Sequence, residues 1–510
     1  MGYKTLQLKL KTDYSDDDIR QAIKKQLGAT DFSYHIEKKS LDARKKTNIH
    51  WQISLVVFSN HFKKTDYLSG KQLLIPRKKR KEKVIVVGSG PAGFFAAHVL
   101  QIAGYHVTIL ERGSQVTKRS EAIDLLQKNG QFSSQNNFAF GEGGAGTFSD
   151  GKLTSRSKHI SAERYFVLSE YVKAGAPEEI LYMAHPHVGT DNLKLVVANL
   201  RSEFLNNGGQ FLFDTKMENI IVKGDKVTKI VCNTGEIEAD VIVLATGNSA
   251  YDTYHLLLDK GIQFTTKNFA IGHRVEHEQT LINMAQWGRE KLPGVKAAEY
   301  RLSAKTKSGV GVYTFCMCPG GTVVPAAAFE NRSVVNGMSN YSRNGFYSNA
   351  GCVVGVHPDM LLGKKCLPID ILDWMDKLEE KSYAFSNSLV IPANRVSDYI
   401  NKRTSRQIGN SSYALGLQSA PLYDMVPDII SDALAEGLRS FNNKLKGFDK
   451  GVLMGMETKT SSPLRVIREN DGRCEGFKNL YSVGEGSGYA GGIISSAADG
   501  IKCAMSLSFK

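Results

Sequence analysis

The chain has 510 residues, enough for two or three domains, and its 42% hydrophobic and 23% charged residues are typical of a globular protein. No apolar run is long enough to span a bilayer, the N-terminus lacks a signal-peptide core, and seven scattered cysteines form no disulfide framework, so we expect a cytoplasmic protein without a membrane partner. The net charge of +14 is uneven, because residues 1–83 contribute +11, with 20 Lys and Arg against 9 Asp and Glu.

Residues 1–80 are predicted to form a small basic α+β domain and its linker. Apolar residues alternate from Leu6 to Leu10 and again from Trp51 to Val57, which predicts strands, and Gly28 ends the intervening helix. The order strand, helix, strand, strand indicates a ferredoxin-like half. A solvated basic face is the favoured interpretation of its charge, and a patch that binds an acidic protein, nucleic acid or an anionic surface is the alternative.

A buried strand then leads into residues 88–93, Gly-Ser-Gly-Pro-Ala-Gly, the pattern of a dinucleotide-binding turn. Gly88 permits the tight turn, Gly90 leaves room for a pyrophosphate, and Gly93 lets the new helix pack closely on the strand. The helix N-terminus offers free N–H groups to the pyrophosphate. Glu111, at the end of the second strand, is placed to accept hydrogen bonds from an adenosine ribose. A βαβ unit without a ligand is the less favoured interpretation.

Three further segments point to a flavin. An apolar strand ends in residues 245–247, Ala-Thr-Gly, a signature of two-dinucleotide-domain flavoproteins, and residues 140–152 are dense in glycine, as backbone that runs against a ring or a phosphate is. Near the C-terminus a strand ends in Gly484 and Glu485, and a glycine-rich loop leads into a small-residue helix near Gly492. In flavoproteins such an acid holds the ribityl hydroxyls and such a helix points at the flavin. We therefore predict FAD rather than NAD as the resident cofactor.

Segments spread over nearly the whole chain carry a family resemblance: residues 42–46, 88–93, 111–113, 140–153, 186–191, 274–277, 316–321, 457–465 and 484–500. With them the chain resembles a bacterial family of uncharacterised FAD-dependent, or NAD-utilising, dehydrogenases. The resemblance implies bound FAD and a two-dinucleotide-binding-domain flavoprotein, and it supplies no substrate. The chain departs from the family pattern at Asn248 and Tyr251, where a His and an Arg are expected, and at Ala139, where Gln is common.

The predicted fold class is α/β: a discontinuous Rossmann-like FAD-binding domain, an inserted α+β substrate domain and the small N-terminal α+β ferredoxin-like domain. The predicted bounds are 1–80 for the N-terminal domain and linker, 81–250 and 451–510 for the two parts of the FAD-binding domain, and 251–450 for the insert. The predicted cofactor-binding residues are Gly88, Gly90, Pro91, Ala92, Gly93, Glu111, Arg112, Gly143, Gly144, Gly146, Thr147, Ala245, Thr246, Gly247, Gly484, Glu485, Gly491, Gly492 and Ile493.

His187, His277 and Cys318 are the predicted catalytic residues. A histidine titrates near neutral pH and suits proton removal while flavin N5 takes a hydride, with a structural hydrogen-bonding role as the alternative. Cys318 follows Cys316 by two residues on a predicted strand, where the two would lie about 6.5 to 7 Å apart, at the outer limit for a disulfide. Packing is therefore favoured over a redox pair or a single reactive thiol, and two cysteines alone predict no metal site.

The predicted function is that of an FAD-dependent oxidoreductase, a dehydrogenase or reductase, that transfers a hydride between a small-molecule substrate and flavin N5. Oxygen, a quinone, NAD(P)H or a protein carrier are the candidate electron partners. The alternative is a flavoprotein that binds or modifies RNA, or a flavin-containing scaffold, acting through the basic N-terminal domain. Few aromatic residues are interleaved with its basic residues, which disfavours nucleic acid as the partner.

Overall fold

The computed structural model describes residues 1–67 and 72–509. The N-terminal domain has the predicted element order: β1 (Gly2–Leu10), α1 (Asp16–Leu27), β2 (Ser33–Asp42) and β3 (His50–Ser59). A capping box between Ser15 and Asp18 starts α1, and Gly28, at φ 67°, ends it. The strands form an antiparallel sheet of order β1-β3-β2, and Ile23 of the helix is buried in the core beneath it.

The predicted nucleotide-binding domain alternates strands and helices before a small β-sheet. Its first part contains β4 (Lys83–Val87), α2 (Pro91–Ile102), β5 (His106–Leu110), α3 (Val116–Asn129), a 3-10 helix (Gly144–Phe148), α4 (Ser161–Lys173), a second 3-10 helix (Glu178–Leu181), α5 (Thr190–Asn206), β6 (Gln210–Leu212), β7 (Met217–Lys223), β8 (Lys226–Cys232), β9 (Gly235–Glu238) and β10 (Val241–Leu244). Strands β7, β8 and β9 form the small antiparallel sheet.

The intervening segment, between β10 and the C-terminal part, is larger. It contains α6 (Tyr251–Asp259), β11 (Phe264–Thr266), β12 (Phe269–Glu278), α7 (Gln279–Trp287), β13 (Ser303–Lys305), β14 (Gly311–Cys318), β15 (Thr322–Pro325), β16 (Val335–Met338), β17 (Tyr347–Val356), α8 (Pro358–Leu362), α9 (Pro368–Ala384), β18 (Ile391–Arg395), α10 (Val396–Tyr399), β19 (Leu417–Ser419), α11 (Leu422–Met425), α12 (Asp428–Lys444), a 3-10 helix (Phe448–Lys450), β20 (Val452–Glu457) and β21 (Leu464–Val466). The chain closes with β22 (Leu480–Ser482) and α13 (Ile493–Ser508).

The central parallel sheet joins both ends of the chain. Its order is β22-β10-β4-β5-β6, so the C-terminal β22 pairs with β10, as the discontinuous domain requires. Helix α13 packs directly against α2. Gly500 permits this approach, because a Cβ there would lie 2.1 Å from the carbonyl oxygen of Ala92.

The insert is built on a seven-stranded sheet of order β13-β14-β17-β12-β20-β18-β19. Strand β20 pairs with β12 and β18, and β21 pairs with β11. The strand pairing of the insert thus continues past residue 450 to Val466, and the predicted domain bounds stay a prediction. In the described residues no helix is long and apolar enough to cross a membrane.

Candidate cofactor and substrate site

Three glycine-containing segments meet at the end of the parallel sheet. A Cβ on Gly144 would lie 3.0 Å from the Cα of Gly90, and a Cβ on Gly146 would lie 3.2 Å from the Ile493 side chain. The first glycine loop, the 3-10 helix and the start of α13 are therefore in mutual contact. The sequence predicted each segment separately, and the structure brings them together.

The glycines of the first loop differ in what surrounds them. A Cβ on Gly88 would lie 2.4 Å from the Ala245 carbonyl oxygen, and one on Gly93 would lie 1.9 Å from the Gly88 carbonyl oxygen, so both positions require glycine for the fold itself. Gly90 has φ −64°, and the atom nearest to its Cβ position is the Gly144 Cα at 3.8 Å. The fold itself therefore does not require glycine at position 90, and space for a ligand is the reason that we infer for it.

Two helix N-termini open onto this region. Helix α2 begins after Gly90 and α13 begins after Gly492, and neither capping residue supplies a side-chain hydrogen bond. Their first N–H groups are thus available to an anion, and the helix dipoles favour negative charge there. Pro91 and Ala92 form the first turn of α2, and Ile493 forms the first turn of α13.

Glu111 ties the first two glycine segments together. One carboxylate oxygen accepts hydrogen bonds from the Ser89 N–H (3.1 Å) and Ser89 hydroxyl (2.7 Å), and the other accepts from the N–H groups of Gly113 (3.0 Å) and Gly141 (3.1 Å). A ribose hydroxyl would have to replace one of these four donors, so the ribose-binding role of Glu111 stays a prediction. The adjacent Arg112 forms an ion pair with Asp252 at 2.8 Å.

The Ala-Thr-Gly loop meets the C-terminal loop. A Cβ on Gly486 would lie 2.7 Å from the Gly247 carbonyl oxygen, and the Asn248 amide donates a hydrogen bond to Glu485 at 3.1 Å. Asn248, which departs from the family pattern, therefore holds the predicted ribityl-binding acid. Burial raises the pKa of Glu485 to about 7, against the opposing effect of a hydrogen bond from the Gly492 N–H.

The space around these loops fits a dinucleotide. Among the described residues, nothing lies within 4 Å of a Cβ built on Gly247, Gly491 or Gly492. Open glycine backbone, uncapped helix ends and a buried acid together match the needs of a pyrophosphate and a flavin ring.

The remaining predicted cofactor residues lie in or beside the same loops. Thr147 is buried and its hydroxyl donates to the Glu142 carbonyl oxygen at 3.2 Å, so its side chain is occupied within the protein. Ala245 is also buried, and Thr246 is partly exposed. A Cβ on Gly484, which has φ 81°, would lie 2.6 Å from the Ala92 side chain. Gly484 is therefore needed for the approach of the C-terminal loop to α2.

The insert contributes a pair of cysteines to this region. Strand β14 contains a bulge, because Phe315 pairs with Gly351 and Cys318 pairs with Asn349, which places one extra residue on the β14 side. Cys316 has φ 43°, a left-handed conformation rare for a residue other than glycine. The Cys318 thiol donates to the Cys316 carbonyl oxygen at 3.4 Å. The regular strand that the sequence analysis assumed for this pair is therefore interrupted at the bulge. The sequence offered no signal for the bulge.

Buried charges surround these cysteines. Arg274 donates a hydrogen bond to the Cys316 carbonyl oxygen at 3.0 Å and contacts the Cys318 sulfur at 3.5 Å. Lys152 donates to the Met317 carbonyl oxygen and pairs with Asp150 at 2.7 Å. Lys152 ends the second glycine segment, so it links that segment to β14.

The predicted catalytic histidines occupy different surroundings. His187 lies beside the Asp150 carboxylate, bonds to the Tyr341 carbonyl oxygen at 3.1 Å, and has its pKa lowered to about 4, chiefly by burial. His277 is packed against Phe448, whose carbonyl oxygen it contacts at 2.8 Å, and burial lowers its pKa to about 4 as well. The contacts of His277 are those of a packed core residue, and its catalytic role stays a prediction.

A buried ion pair that sequence reasoning missed lies behind the Ala-Thr-Gly loop. Lys459 Nζ is 2.7 Å from a carboxylate oxygen of Glu379, in a direction unsuited to a hydrogen bond, and 3.7 Å from the centre of the Tyr251 ring. Tyr251 and Thr458 both donate to the same Glu379 oxygen. Burial lowers the pKa of Lys459, with Glu379 opposing the shift. Sequence reasoning missed this pair because Lys459 and Glu379 lie far apart in the sequence. Among the described residues, no cluster of three or more metal-binding side chains occurs.

Comparisons with known proteins agree with this geometry. A family model described as "FAD binding domain" matches residues 81–129, one described as "FAD-dependent protein, C-terminal domain-like" matches residues 268–460, and a domain of unknown function matches residues 3–58. An uncharacterized protein of Clostridium beijerinckii is 40% identical over 488 residues, which cover 92% of this chain and 91% of that protein.

Solved structures show only distant similarity. Glycine oxidase from Bacillus cereus is 12% identical with a TM-score of 0.33, covering 84% of this chain and 95% of its own. L-Proline dehydrogenase from P. horikoshii is 11% identical with a TM-score of 0.33, covering 85% of this chain and 94% of its own. At this level the similarity contributes nothing to the assignment.

The chain is an FAD-dependent protein, and FAD is its cofactor. Within that class, the chain belongs to the same family as the Clostridium beijerinckii protein, an uncharacterised family of FAD-dependent oxidoreductases. The family resemblance and the cofactor predicted from the sequence are thereby confirmed.

Proposed function

We propose that this protein transfers a hydride between a small-molecule substrate and FAD, in a site enclosed by the glycine loops and the insert. The observation that carries the proposal is the position of β14. Its Cys316 lies within electrostatic reach of Glu485, and Lys152 joins it to the second glycine segment. The insert thus brings titratable side chains to the loops that we propose hold the cofactor. FAD, when bound, supplies hydride-accepting chemistry at N5.

The chain's own residues would position charge and move a proton. The uncapped N-terminus of α13 favours negative charge beside it. Glu485, with its pKa raised to about 7 by burial, can hold or release a proton near neutral pH. Asn248 keeps the Glu485 carboxyl in place through its 3.1 Å hydrogen bond.

His187, His277 and Cys318 remain the predicted catalytic residues. Of the three, Cys318 is supported by its contacts with Arg274 and Cys316 beside the cofactor loops. The low pKa of His187 favours the neutral imidazole, which can accept a proton but would be a weak base. NAD(P)H and protein electron carriers remain candidate partners.

Anaerobic reduction tests the proposal. The purified holoprotein is mixed without oxygen with NADH, NADPH and a panel of amino acids and hydroxy acids, and the visible flavin spectrum is followed. We expect one donor class to bleach the flavin and to do so more slowly when deuterated at the reacting carbon. A flavin that dithionite reduces but no donor bleaches, or bleaching without an isotope effect on the reduction step, would contradict hydride transfer.

A matched pair of variants tests the acid. We expect Glu485→Gln to lower the rate of flavin reduction by about a hundredfold or more, since general acid or base catalysis contributes about 10²–10⁴-fold. Glu475→Gln, at an exposed position, is the control and should react at the wild-type rate. Equal rates in the two variants would remove Glu485 from the proton-transfer step.

A further inference from the structure

The bulge in β14 turns two cysteines toward each other. On a regular strand Cys316 and Cys318 would follow the pleat, but the extra residue and the left-handed φ of Cys316 break that alternation. The Cys318 thiol donates to the Cys316 carbonyl oxygen at 3.4 Å, and each of the two thiols shifts the pKa of the other. The two cysteine side chains are therefore close neighbours.

The surroundings distinguish the two thiols. Cys316 is partly exposed, and its pKa is lowered to about 7 by the Cys318 thiol and by the positive charges of Lys152 and Arg274. Cys318 is fully buried, and the pKa of its thiol is raised by the Cys316 thiol and by burial. One accessible thiolate beside one buried thiol is the arrangement that thiol–disulfide exchange requires.

The other cysteines lack this arrangement. Cys352, Cys474 and Cys503 are buried, and burial raises their pKa values. Burial also raises the pKa of Cys366. These thiols are therefore protonated near neutral pH. A substitution at one of them serves as the control for substitutions at Cys316 and Cys318.

We propose that Cys316 and Cys318 form a reversible dithiol–disulfide pair that exchanges two electrons with FAD. Closing the pair forms the Sγ–Sγ bond and breaks two S–H bonds. Two electrons and two protons leave the thiols, and oxidised FAD is the acceptor of both. The reverse exchange consumes reduced FAD and restores both thiols. Cys316, the partly exposed member, is the thiol that would attack an external disulfide.

The position of the pair supports exchange with the cofactor. The Glu485 carboxyl of the C-terminal loop lies close enough to Cys316 for their charges to interact. Lys152 bonds to the backbone between the two cysteines and belongs to the second glycine segment. The exchange rests on the proposed function, because it needs a redox-active FAD beside β14.

The first experiment uses FAD-free protein, so it does not depend on the cofactor. Fully reduced protein is treated with oxidised glutathione, denatured, and its free thiols are counted. We expect the wild type and the control Cys366→Ser each to lose two thiols, and peptide mass spectrometry to find Cys316 linked to Cys318. Cys316→Ser and Cys318→Ser should form no such link. No loss of thiols, or a link to any other cysteine, would overturn the pair.

The second experiment is an anaerobic dithionite titration of the oxidised holoprotein. We expect the wild type and Cys366→Ser to take up about twice as many electrons per FAD as Cys316→Ser and Cys318→Ser, since a disulfide and a flavin each accept two. Equal uptake, with the disulfide still formed in FAD-free protein, would overturn the exchange and leave hydride transfer intact. A normal excess uptake with no donor able to bleach the flavin would support the exchange and contradict the proposed function.

Discussion

At the scale of single residues, the site depends on where the backbone lacks a side chain and where a carboxyl is buried. Gly88 and Gly93 are fixed by contacts within the protein, whereas a Cβ on Gly90 would make only an ordinary contact at 3.8 Å, and Gly491 and Gly492 face open space. The glycine pattern in the sequence could not distinguish a glycine required by close packing from a glycine that leaves space for a ligand. Only the neighbouring atoms show which glycines serve the fold and which leave room for the ligand.

The raised pKa of Glu485 predicts that the stability of the FAD-free protein depends on pH. Its pKa is raised from 4.5 to about 7, so the folded state binds more protons than the unfolded chain between these values. Its stabilising contribution is complete below pH 4.5 and is lost as the pH rises through about 7. At roughly 1.4 kcal/mol per pH unit, the loss is at most about 3 kcal/mol.

Urea unfolding of FAD-free protein between pH 5 and pH 8 measures this loss. Glu485→Gln keeps an acceptor for Asn248 and should show a flatter profile than the wild type. Glu475→Gln, exposed at the surface, should keep the wild-type slope. A Glu485→Gln profile parallel to that of the wild type would show that burial does not shift this carboxyl.

At the scale of elements, one buried arginine holds the strands of the insert together. Arg274 of β12 donates to Asn349 on β17 at 2.7 Å and to Asn336 on β16 at 3.1 Å, and pairs with Glu457 on β20 at 2.8 Å. It also bonds the Cys316 carbonyl oxygen at the bulge. The geometry of the cysteine pair therefore depends on this side chain.

Removal of the Arg274 charge should be strongly destabilising. Arg274→Met leaves the Glu457 carboxylate buried without its partner, and we expect a loss of about 3–5 kcal/mol in urea unfolding. Adding Glu457→Leu should recover part of that loss, because the uncompensated charge is gone. The exposed pair Arg403–Asp398 provides the control, with a loss of about 1 kcal/mol or less for Arg403→Met. A loss that small for Arg274→Met would contradict the proposed role.

Elements with local signals could be predicted from the sequence. The capping box of α1, the strand before Gly88 and the returning β22 each have a pattern that spans a few residues. The β14 bulge, the Arg274 cluster and the Lys459–Glu379 pair arise from contacts between distant segments. Such contacts leave no periodic trace in one sequence.

At the scale of the whole molecule, the basic N-terminal domain docks on the nucleotide-binding domain. The Lys39 N–H donates to the Tyr182 carbonyl oxygen at 2.8 Å, and the Ala184 N–H donates to the Lys39 carbonyl oxygen at 2.8 Å. Its edge strand β2 is thus partly paired with another part of the chain. The domain is therefore attached to the nucleotide-binding domain by specific backbone contacts.

A gel shift with tRNA at two salt concentrations tests the charge of this domain. Because the favoured interpretation is a solvated basic face, we expect only weak retardation at about 50 mM salt and none at about 200 mM, as for non-specific phosphate contacts. Retardation that persists at the higher salt would instead support the RNA-binding alternative. Oligonucleotides of unrelated sequence serve as the control for specificity.

The central claim is that segments from both ends of the chain form one FAD site around Gly90. At Gly90 an ordinary φ and a nearest atom at 3.8 Å let the protein accept alanine, whereas a bound pyrophosphate would meet the new methyl group. The control is Gly409→Ala, with nothing within 4 Å of its Cβ among the described residues.

The decisive measurement is the FAD content of purified Gly90→Ala, read from its visible absorbance, beside its thermal unfolding. We expect a fold as stable as that of FAD-free wild type with about tenfold less FAD than Gly409→Ala, because a steric clash with the pyrophosphate that costs about 1.4 kcal/mol weakens binding tenfold. A Gly90→Ala protein that keeps the full FAD content of Gly409→Ala would contradict the assignment of this loop to the pyrophosphate.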